Sequence, residues 1–313
     1  MEIVNDITWK KNKGVSELVD GMGSTGFQGI ELKRASDAIT KMKRVGAKMF
    51  LSFTSNMVTS GLRGFFAQLI KIGMVDIAVT TVGGIEEDIM KAKGEKFLIT
   101  TYHADDVSLF EKGSNRIGNL LITNESYERF ETQMKPILQK IYDKKKRVTV
   151  TELLHEIGLM LDDENSILYQ AARNNIPIFC PAITDGAMGF HLYMFQQDHP
   201  DFIIDIVKDF SNLIFSTSHD EKKGVICLGG GISKHHTILA TLLNGGAEYA
   251  VYMTTAREHS GSMSGATTRE AKSWGKIKDD ADAVTVVGEV SITFPLAMMH
   301  ALDKLSEEGL LHE

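Results

Sequence analysis

The sequence predicts an α/β protein with a doubly wound, mainly parallel sheet and helical additions. Short apolar runs alternate with segments of helical period, and this alternation is typical of parallel strands joined by helices. Small, polar and glycine residues follow these runs, and ligands bind beyond the carboxyl ends of the strands in such sheets. The predicted strands are residues 48–53, 75–80, 97–101, 177–180, 225–228, 249–253 and 283–287.

Helical segments account for most of the remaining chain. Residues 1–45 are predicted to form a helical N-terminal part, because apolar residues recur at helical spacing on both sides of a Gly-Ser-Thr-Gly break. Residues 127–173 are rich in helical pattern and lack a convincing strand, so we expect a helical layer there. No repeat, low-complexity tract or flexible linker interrupts the sequence, which predicts a single domain over residues 1–313. Further helices are predicted at 61–72, 85–93, 233–243 and 291–302.

Composition argues against several classes of protein. The net charge of -7 disfavours nonspecific binding to nucleic acid or to an anionic membrane, and the basic run 144–147 is expected to be a solvated helix end. No apolar run reaches membrane length, and the first six residues lack the basic and apolar parts of a signal peptide. Cys180 and Cys227 end apolar runs and lack metal-ligand spacing, which predicts buried strand thiols. We therefore expect a cytoplasmic protein without a metal site.

One lysine stands in a setting that could make its amine reactive. Lys276 follows Trp274 and Gly275, and residues 270–273 have the composition of a short helical turn that Gly275 would end. An indole wall would remove water from the ammonium, and desolvation lowers a lysine pKa toward the neutral amine that forms imines. From these residues alone, a surface Lys276 beside a core Trp274 is the more common arrangement.

Short polar and glycine-rich motifs are spread over most of the chain. They are Thr-Ser-Asn at 54–56, Val-Thr-Thr-Val-Gly-Gly-Ile-Glu-Glu-Asp at 79–88, Arg-Ile-Gly-Asn-Leu-Leu at 116–121, Pro-Ala-Ile-Thr-Asp-Gly at 181–186, Leu-Gly-Gly-Gly at 228–231, Lys-His-His at 234–236, Gly-Ser-Met-Ser-Gly-Ala at 261–266 and Ser-Trp-Gly-Lys-Ile at 273–277. Together these motifs resemble the deoxyhypusine synthase family, and in particular its archaeal members. Several of them are weak alone, but they keep their order along the chain, which makes the resemblance specific.

The resemblance implies a Rossmann-like fold, the cofactor NAD and a specific reaction. A Gly-x-Gly-x-x-Gly fingerprint is absent, so the residues alone leave nucleotide binding open. In the family, NAD oxidises spermidine and a lysine takes up the aminobutyl group as an imine. That group passes to a lysine of translation initiation factor 5A, where it is reduced to deoxyhypusine. The family also implies a homotetramer with sites at a dimer interface.

The family's functional residues map onto matching positions of this sequence. Lys276 corresponds to the imine-forming lysine and His235 to a histidine that is a plausible proton acceptor, although a histidine at a helix start is often only structural. Glu86 and Glu87 would favour a helix start for structural reasons as well. The implied substrate-binding residues are Glu86, Glu87, His235, Gly261, Glu270, Trp274 and Lys276. The implied NAD-binding residues are Ser55, Asn56, Thr59, Thr81, Gly83, Glu87, Asp185, Gly230, Thr255, Ala256 and Glu289.

Three positions depart from the eukaryotic pattern and leave alternatives open. Phe190 and Met263 stand where eukaryotic members have acidic residues, and Leu239 stands where they have asparagine. Losing two anions should weaken the hold on ammonium groups. The alternatives are a homospermidine synthase, which uses putrescine as the acceptor, and a noncatalytic paralogue subunit.

Overall fold

A computed structural model describes residues 3–311, which divide into two compact units. The first unit comprises the chain up to Phe53, Ile72–Val79 and the chain from Ser211 onward. The second unit comprises Thr54–Lys71 and Thr80–Phe210. The sequence predicts a single domain because it lacks a linker, and the division into two compact units does not test this prediction.

The elements follow one another in the order that the sequence pattern suggests, with additions in the second unit. A π-helical segment, Val58–Leu62, follows the third helix, and a short 3₁₀ helix spans Glu258–Ser260. The α-helices are α1 (Val15–Met22), α2 (Phe27–Arg44), α3 (Ser55–Met57), α4 (Arg63–Lys71), α5 (Val82–Ala92), α6 (Asp106–Glu111), α7 (Asn124–Lys144), α8 (Val150–Leu159), α9 (Ile167–Arg173), α10 (Ala187–Asp198), α11 (Ile206–Ile214), α12 (Gly231–Leu242), α13 (Thr268–Ser273) and α14 (Val290–Glu307). The strands are β1 (Lys48–Ser52), β2 (Ile77–Val79), β3 (Leu98–Ile99), β4 (Ser114–Ile117), β5 (Leu120–Thr123), β6 (Arg147–Val148), β7 (Ile178–Phe179), β8 (Ile203–Ile204), β9 (Lys223–Leu228), β10 (Ala247–Thr254) and β11 (Ile277–Val287).

The first unit is built around parallel strands in the order β11-β10-β9-β1-β2. Ile226 of the central β9 pairs with Leu51 on one side and Val251 on the other. Every residue of β9 is buried, as expected for a strand that is covered on both faces. Helices α2 and α14 form one layer, while α12 and α13 contact the sheet separately. The predicted fold class, a doubly wound and mainly parallel sheet with helical additions, is confirmed.

The second unit consists mainly of helices and contains the predicted helical layer. Helices α7, α8 and α9 occupy most of residues 127–173, but the two-residue strand β6 interrupts them and pairs with β8. In the basic run 144–147, every side chain forms an ion pair, and the partners are Glu156, Glu152, Asp201 and Asp205. The run is therefore neutralised locally.

One predicted strand belongs to a different sheet. Residues 97–101 contain β3, but β3 pairs with β5 in a small antiparallel sheet of order β3-β5-β4 inside the second unit. Its placement in the parallel sheet was therefore wrong. Leu98 and Ile99 are 55% and 84% exposed, so this apolar run is not a strand buried on both faces. A short apolar run predicts a strand but does not identify its partner.

The two cysteines are buried and free, Cys227 within β9 and Cys180 directly after β7. Burial raises the pKa of the Cys227 thiol to about 12, so it stays protonated. Within residues 3–311, no helix combines the length and the apolar character needed to cross a membrane.

Candidate active site

A glycine-rich turn joins β9 to α12 and allows a loop to pack against it closely. A Cβ atom on Gly230 would lie 2.2 Å from the Cα of Ser264, so only glycine fits there. The Oγ of Ser264 accepts a hydrogen bond from the Gly231 amide at 3.1 Å. The segment after β10 is thereby held against the first turn of α12.

The short helix α13 ends as the sequence predicts. Its N-cap is Thr267, whose Oγ1 accepts from the Glu270 amide at 3.4 Å. Gly275 has a φ of +69°, and the Lys276 amide donates to the Ala271 carbonyl at 3.1 Å. This left-handed glycine turns the chain, so that Lys276 immediately precedes β11.

Lys276 borders a cavity of about 280 Å³ in the first unit. Its side chain is buried, with only 6% of the residue exposed, and its Nζ lies 4.9 Å from the centre of the Trp274 ring system. Trp274 itself is 63% exposed. The arrangement that these residues alone favoured, a surface Lys276 beside a core Trp274, is therefore wrong, because Lys276 is buried and Trp274 is exposed. The cavity is lined by Lys234, His235, Ile238, Tyr252, Gly261, Met263, Ala266, Thr267, Glu270, Ala271, Trp274 and Lys276.

The imidazole at the cavity is set up to be neutral. His235 is exposed beside the cavity, but partial desolvation of its ring lowers its pKa, and the positive charge of Lys276 lowers it further. Burial also lowers the pKa of the neighbouring His236, to about 4, with a contribution from His235. At neutral pH the His235 ring, which lines the cavity, is therefore neutral and has one acceptor nitrogen.

Sequence reasoning missed several of the cavity residues, among them Lys234 and Tyr252. Lys234 is almost fully buried, and burial lowers its pKa, although the carboxylate of Glu270 acts in the opposite direction. Tyr252 lies on β10, and its buried hydroxyl has no hydrogen-bond partner within residues 3–311. Lys234 was visible in the Lys-His-His motif, but nothing local predicts that it turns inward. Tyr252 carries no signal beyond that of a buried strand residue.

The candidate NAD residues of the first unit follow the ends of its strands. Thr255 and Ala256 come directly after β10, and the Ala256 amide donates to the Oγ1 of Thr254 at 3.0 Å. Glu289 is the N-cap of α14, and its carboxylate accepts a hydrogen bond from the Ser291 hydroxyl. Gly261 has a φ of +64° and is one of the cavity residues.

The second unit brings most of its own candidate residues together. The Ser55 amide donates to the Oγ1 of Thr81 at 3.0 Å, and the Thr59 hydroxyl donates to Glu87 at 2.5 Å. A Cβ on Gly83 would lie 2.9 Å from the Ser55 Cβ, so glycine is required for this packing. Two further candidates, Asn56 and Asp185, are exposed.

Two neighbouring glutamates of α5 are buried in the second unit. The Oε1 of Glu86 accepts from the Met188 amide at 2.7 Å, so this carboxylate caps α10. Burial raises the pKa of Glu86. Burial also raises the pKa of Glu87, to about 7, although the Thr59 hydroxyl and the Lys91 ammonium oppose the shift. Glu87 can therefore hold or release a proton near neutral pH.

The three positions that depart from the eukaryotic pattern lie in different surroundings. Met263 lines the cavity of the first unit. Leu239 is half-buried on α12. Phe190, in the second unit, is 55% exposed on α10. Across the part of the chain that the structure describes, no cluster of three or more histidine, cysteine, aspartate or glutamate side chains could hold a metal ion.

The parallel sheet and the glycine-rich turn beyond its strands define the class of Rossmann-like α/β proteins. A buried lysine at a cavity adds the kind of site that lysine-dependent enzymes use. Comparison with known proteins identifies the family within this class. The family model for deoxyhypusine synthase matches residues 17–301.

Curated relatives agree with the family model. A "Probable deoxyhypusine synthase" of Schizosaccharomyces pombe is 41% identical over 299 residues, which cover 90% of this chain and 85% of the relative. One of the same description from the archaeon Thermoplasma acidophilum is 38% identical, with 94% and 96% covered. The "Deoxyhypusine synthase" of Neurospora crassa is 39% identical, with 98% and 92% covered. The chain therefore belongs to the deoxyhypusine synthase family and is an enzyme, a transferase of that family.

Solved structures support the same assignment. A candidate deoxyhypusine synthase from Entamoeba histolytica superposes with a TM-score of 0.70 at 29% identity, covering 96% of this chain and 97% of that one. The ternary complex of AgrE with ornithine and NAD⁺ superposes with a TM-score of 0.54 at 15% identity, covering 89% of this chain and 34% of that one. The second likeness shows the fold alone.

Proposed function

We propose that this enzyme transfers the aminobutyl group of spermidine, through an imine on Lys276, to a lysine of translation initiation factor 5A, with NAD as cofactor. Membership of the deoxyhypusine synthase family supports this reaction. The observation that carries the proposal is the burial of Lys276 in a cavity that Trp274, Glu270 and His235 also border. An ammonium-bearing chain would find a carboxylate and an aromatic ring in this cavity.

The cavity wall divides into a polar and an apolar part that suit a polyamine. The Glu270 carboxylate can accept from an ammonium group, and the Trp274 ring can cover it. Ile238 and Met263 offer apolar surface to the methylene groups between the nitrogens. Lys234 and Lys276 bring two amines to the same cavity, and an ammonium group of the substrate would be unfavourable beside them. The part of the substrate that lies there is therefore expected to be the oxidised carbon.

Lys276 and His235 would carry the bond changes. Once the bond between the substrate carbon and the secondary nitrogen of spermidine has been oxidised to an imine, the Nζ of Lys276 attacks that carbon. A new imine forms with Lys276, and the bond to the old nitrogen breaks with release of 1,3-diaminopropane. The neutral His235 ring accepts the proton that the Lys276 amine loses and returns it to the leaving amine. The amine of the acceptor lysine then attacks the Lys276 imine in a second exchange of the same kind, and the Lys276 amine leaves.

The residues at the strand ends fit NAD in each unit. When bound, NAD would accept a hydride from the substrate carbon and return it to the product imine. In the first unit, the exposed Glu289 carboxylate can accept from a ribose hydroxyl beside Thr255 and Ala256. In the second unit, α5 has Thr81 as its N-cap without a side-chain capping hydrogen bond and has two glycines in its first turn, an arrangement that suits a phosphate. Asn56 and Asp185 stay predictions as NAD contacts.

The assembly and location are part of the same proposal. We expect a homotetramer with sites at a dimer interface, which light scattering coupled to size-exclusion chromatography would measure directly. Two free, buried cysteines agree with the cytoplasmic location predicted from the sequence.

Acceptor choice is the point that an experiment must decide. The purified protein is incubated with NAD⁺ and spermidine, and NADH is followed by absorbance. Either factor 5A precursor or putrescine is then added, and the products are identified by mass spectrometry. Deoxyhypusine on factor 5A supports the proposal, homospermidine supports the alternative acceptor, and no spermidine-dependent NADH or product with either acceptor contradicts both.

A further inference from the structure

Lys234 is a second buried lysine at the cavity, and its contacts differ from those of Lys276. It lies in the first turn of α12 and is 1% exposed. Its Nζ donates to the carbonyl oxygen of Met263 at 3.0 Å and to that of Ala266 at 2.6 Å. The same Nζ lies 4.2 Å from the centre of the Tyr252 ring. Two carbonyl oxygens and a ring face are acceptors for a cation, so this amine is engaged in the fold.

Both carbonyls belong to the segment Gly261–Thr267, which supplies one wall of the cavity. Gly261, Met263, Ala266 and Thr267 border the cavity, and the segment leads into α13. Among residues 3–311, a second tie holds it, because the Oγ of Ser264 accepts from the Gly231 amide. Without the Lys234 ammonium, the Met263 and Ala266 carbonyls would lose their side-chain donor in a partly buried place.

We propose that Lys234 is a positioning residue that holds Gly261–Thr267 in place as the wall of the substrate cavity and thereby sets the affinity for the polyamine. The identity of the substrate in this inference rests on the proposed function, whereas the contact between Lys234 and the loop does not depend on it. Lys234 acts through the loop, whereas Lys276 forms the covalent bond. Removing the ammonium should leave the nucleophile intact and loosen the surface against which the substrate packs.

Lys223 provides a matched control within the same unit. It is fully buried, and its Nζ donates to the carbonyl oxygens of Ser218 at 3.0 Å and Glu221 at 2.6 Å. The chemistry is that of Lys234, but Lys223 is not a residue of the cavity wall. Substituting either lysine by methionine removes the same kind of interaction, and only one of the two substitutions should affect the cavity.

The first measurement is amide hydrogen exchange in the full-length protein, which needs no substrate. Compared with the wild type, exchange in Gly261–Thr267 is expected to rise at least tenfold in Lys234→Met and to stay unchanged in Lys223→Met and Lys234→Arg, which keeps two donors. Unchanged exchange in Lys234→Met, or an equal rise in Lys223→Met, would overturn the proposal. If Lys234→Met does not fold, Lys234→Gln replaces it, because the shorter amide cannot reach both carbonyls.

The second measurement separates KM from kcat. For Lys234→Met, KM for spermidine should rise at least tenfold while kcat changes less than threefold, and Lys223→Met should leave both unchanged. A loss of kcat at unchanged KM, or an aminobutyl adduct on Lys234 itself, would contradict a positioning role. If wild-type protein forms no spermidine adduct, the proposed function fails, and the exchange experiment still decides whether Lys234 holds the wall.

Discussion

The two units bury opposite charges, and each is expected to use burial in a different way. The first unit places two lysines, Lys234 and Lys276, at one cavity, while the second buries two neighbouring carboxylates, Glu86 and Glu87. Burial lowers the pKa of Lys234 and raises the pKa of both glutamates, so each region moves toward neutral side chains. In the proposed reaction the first unit supplies the nucleophilic amine of Lys276, whereas the second unit contains Glu87, whose carboxyl group can hold a proton near neutral pH.

The largest effect is expected when the amine of Lys276 in the first unit is replaced by a guanidinium. Lys276→Arg keeps the charge but removes the nucleophile, so turnover should fall by at least about 1,000-fold while NAD binding persists. Steady-state kinetics and equilibrium dialysis with NAD measure the two effects. Lys272→Arg is the control, since Lys272 lies on the neighbouring α13 and its Nζ donates to the backbone carbonyls of Asp279 and Ala281.

Replacing Glu87 by an uncharged residue should change how the free energy of unfolding depends on pH, which tests the buried carboxylate of the second unit. Its pKa in the folded protein is about 7, above its ordinary value of 4.5. Because the folded state binds this proton more tightly than the unfolded state does, the proton's contribution to the free energy of unfolding is complete below pH 4.5. That contribution is lost as the pH rises through 7. Relative to Glu87→Gln, the wild type should therefore lose about 3 kcal/mol of unfolding free energy between these pH values. Denaturant titrations at several pH values measure the difference.

The control for Glu87 is the exposed Glu128→Gln on α7. Its stability should follow that of the wild type across the same pH range. A constant stability difference between wild type and Glu87→Gln at every pH would contradict the raised pKa.

Adding a carboxylate to the cavity should test whether its shortage of anions limits polyamine binding. Met263→Asp places an acid in the cavity that Lys234 and Lys276 also line, and a charge-assisted hydrogen bond to a substrate ammonium should lower KM for spermidine about tenfold. Met263→Asn has the same shape without the charge and should change KM less than threefold. Equal effects of the two substitutions would show that charge is not the limiting property.

Removing the carboxylate of Glu86 should have the smallest effect and should concern the fold. Glu86→Ala leaves the Met188 amide at the start of α10 without its acceptor, which should cost about 1 kcal/mol of unfolding free energy. Glu86→Gln keeps an acceptor and should retain most of the stability. If both variants were as stable as the wild type, the capping role of Glu86 would be wrong.

Local signals in the sequence predicted the parallel sheet and the turn at Lys276. Residues 225–228 of the buried β9 are a continuous apolar run, and Gly275 adopts the left-handed conformation that a glycine after a short helix suggests. Contacts that join distant segments could not be predicted in the same way. The bond from Glu86 to Met188 spans 102 residues, and the bonds from Lys234 to the cavity wall depend on how a loop folds back. The strand at 97–101 was assigned to the wrong sheet because its apolar residues do not specify a pairing partner.

The most direct test of the account is to trap the covalent intermediate. Wild-type protein is incubated with NAD⁺ and spermidine and reduced with borohydride, and its peptides are mapped by mass spectrometry. The account predicts one aminobutyl group, dependent on both NAD⁺ and spermidine, on the peptide that contains Lys276 and at that side chain. An unmodified Lys276 in protein that turns over, or the same adduct on another lysine, would contradict it.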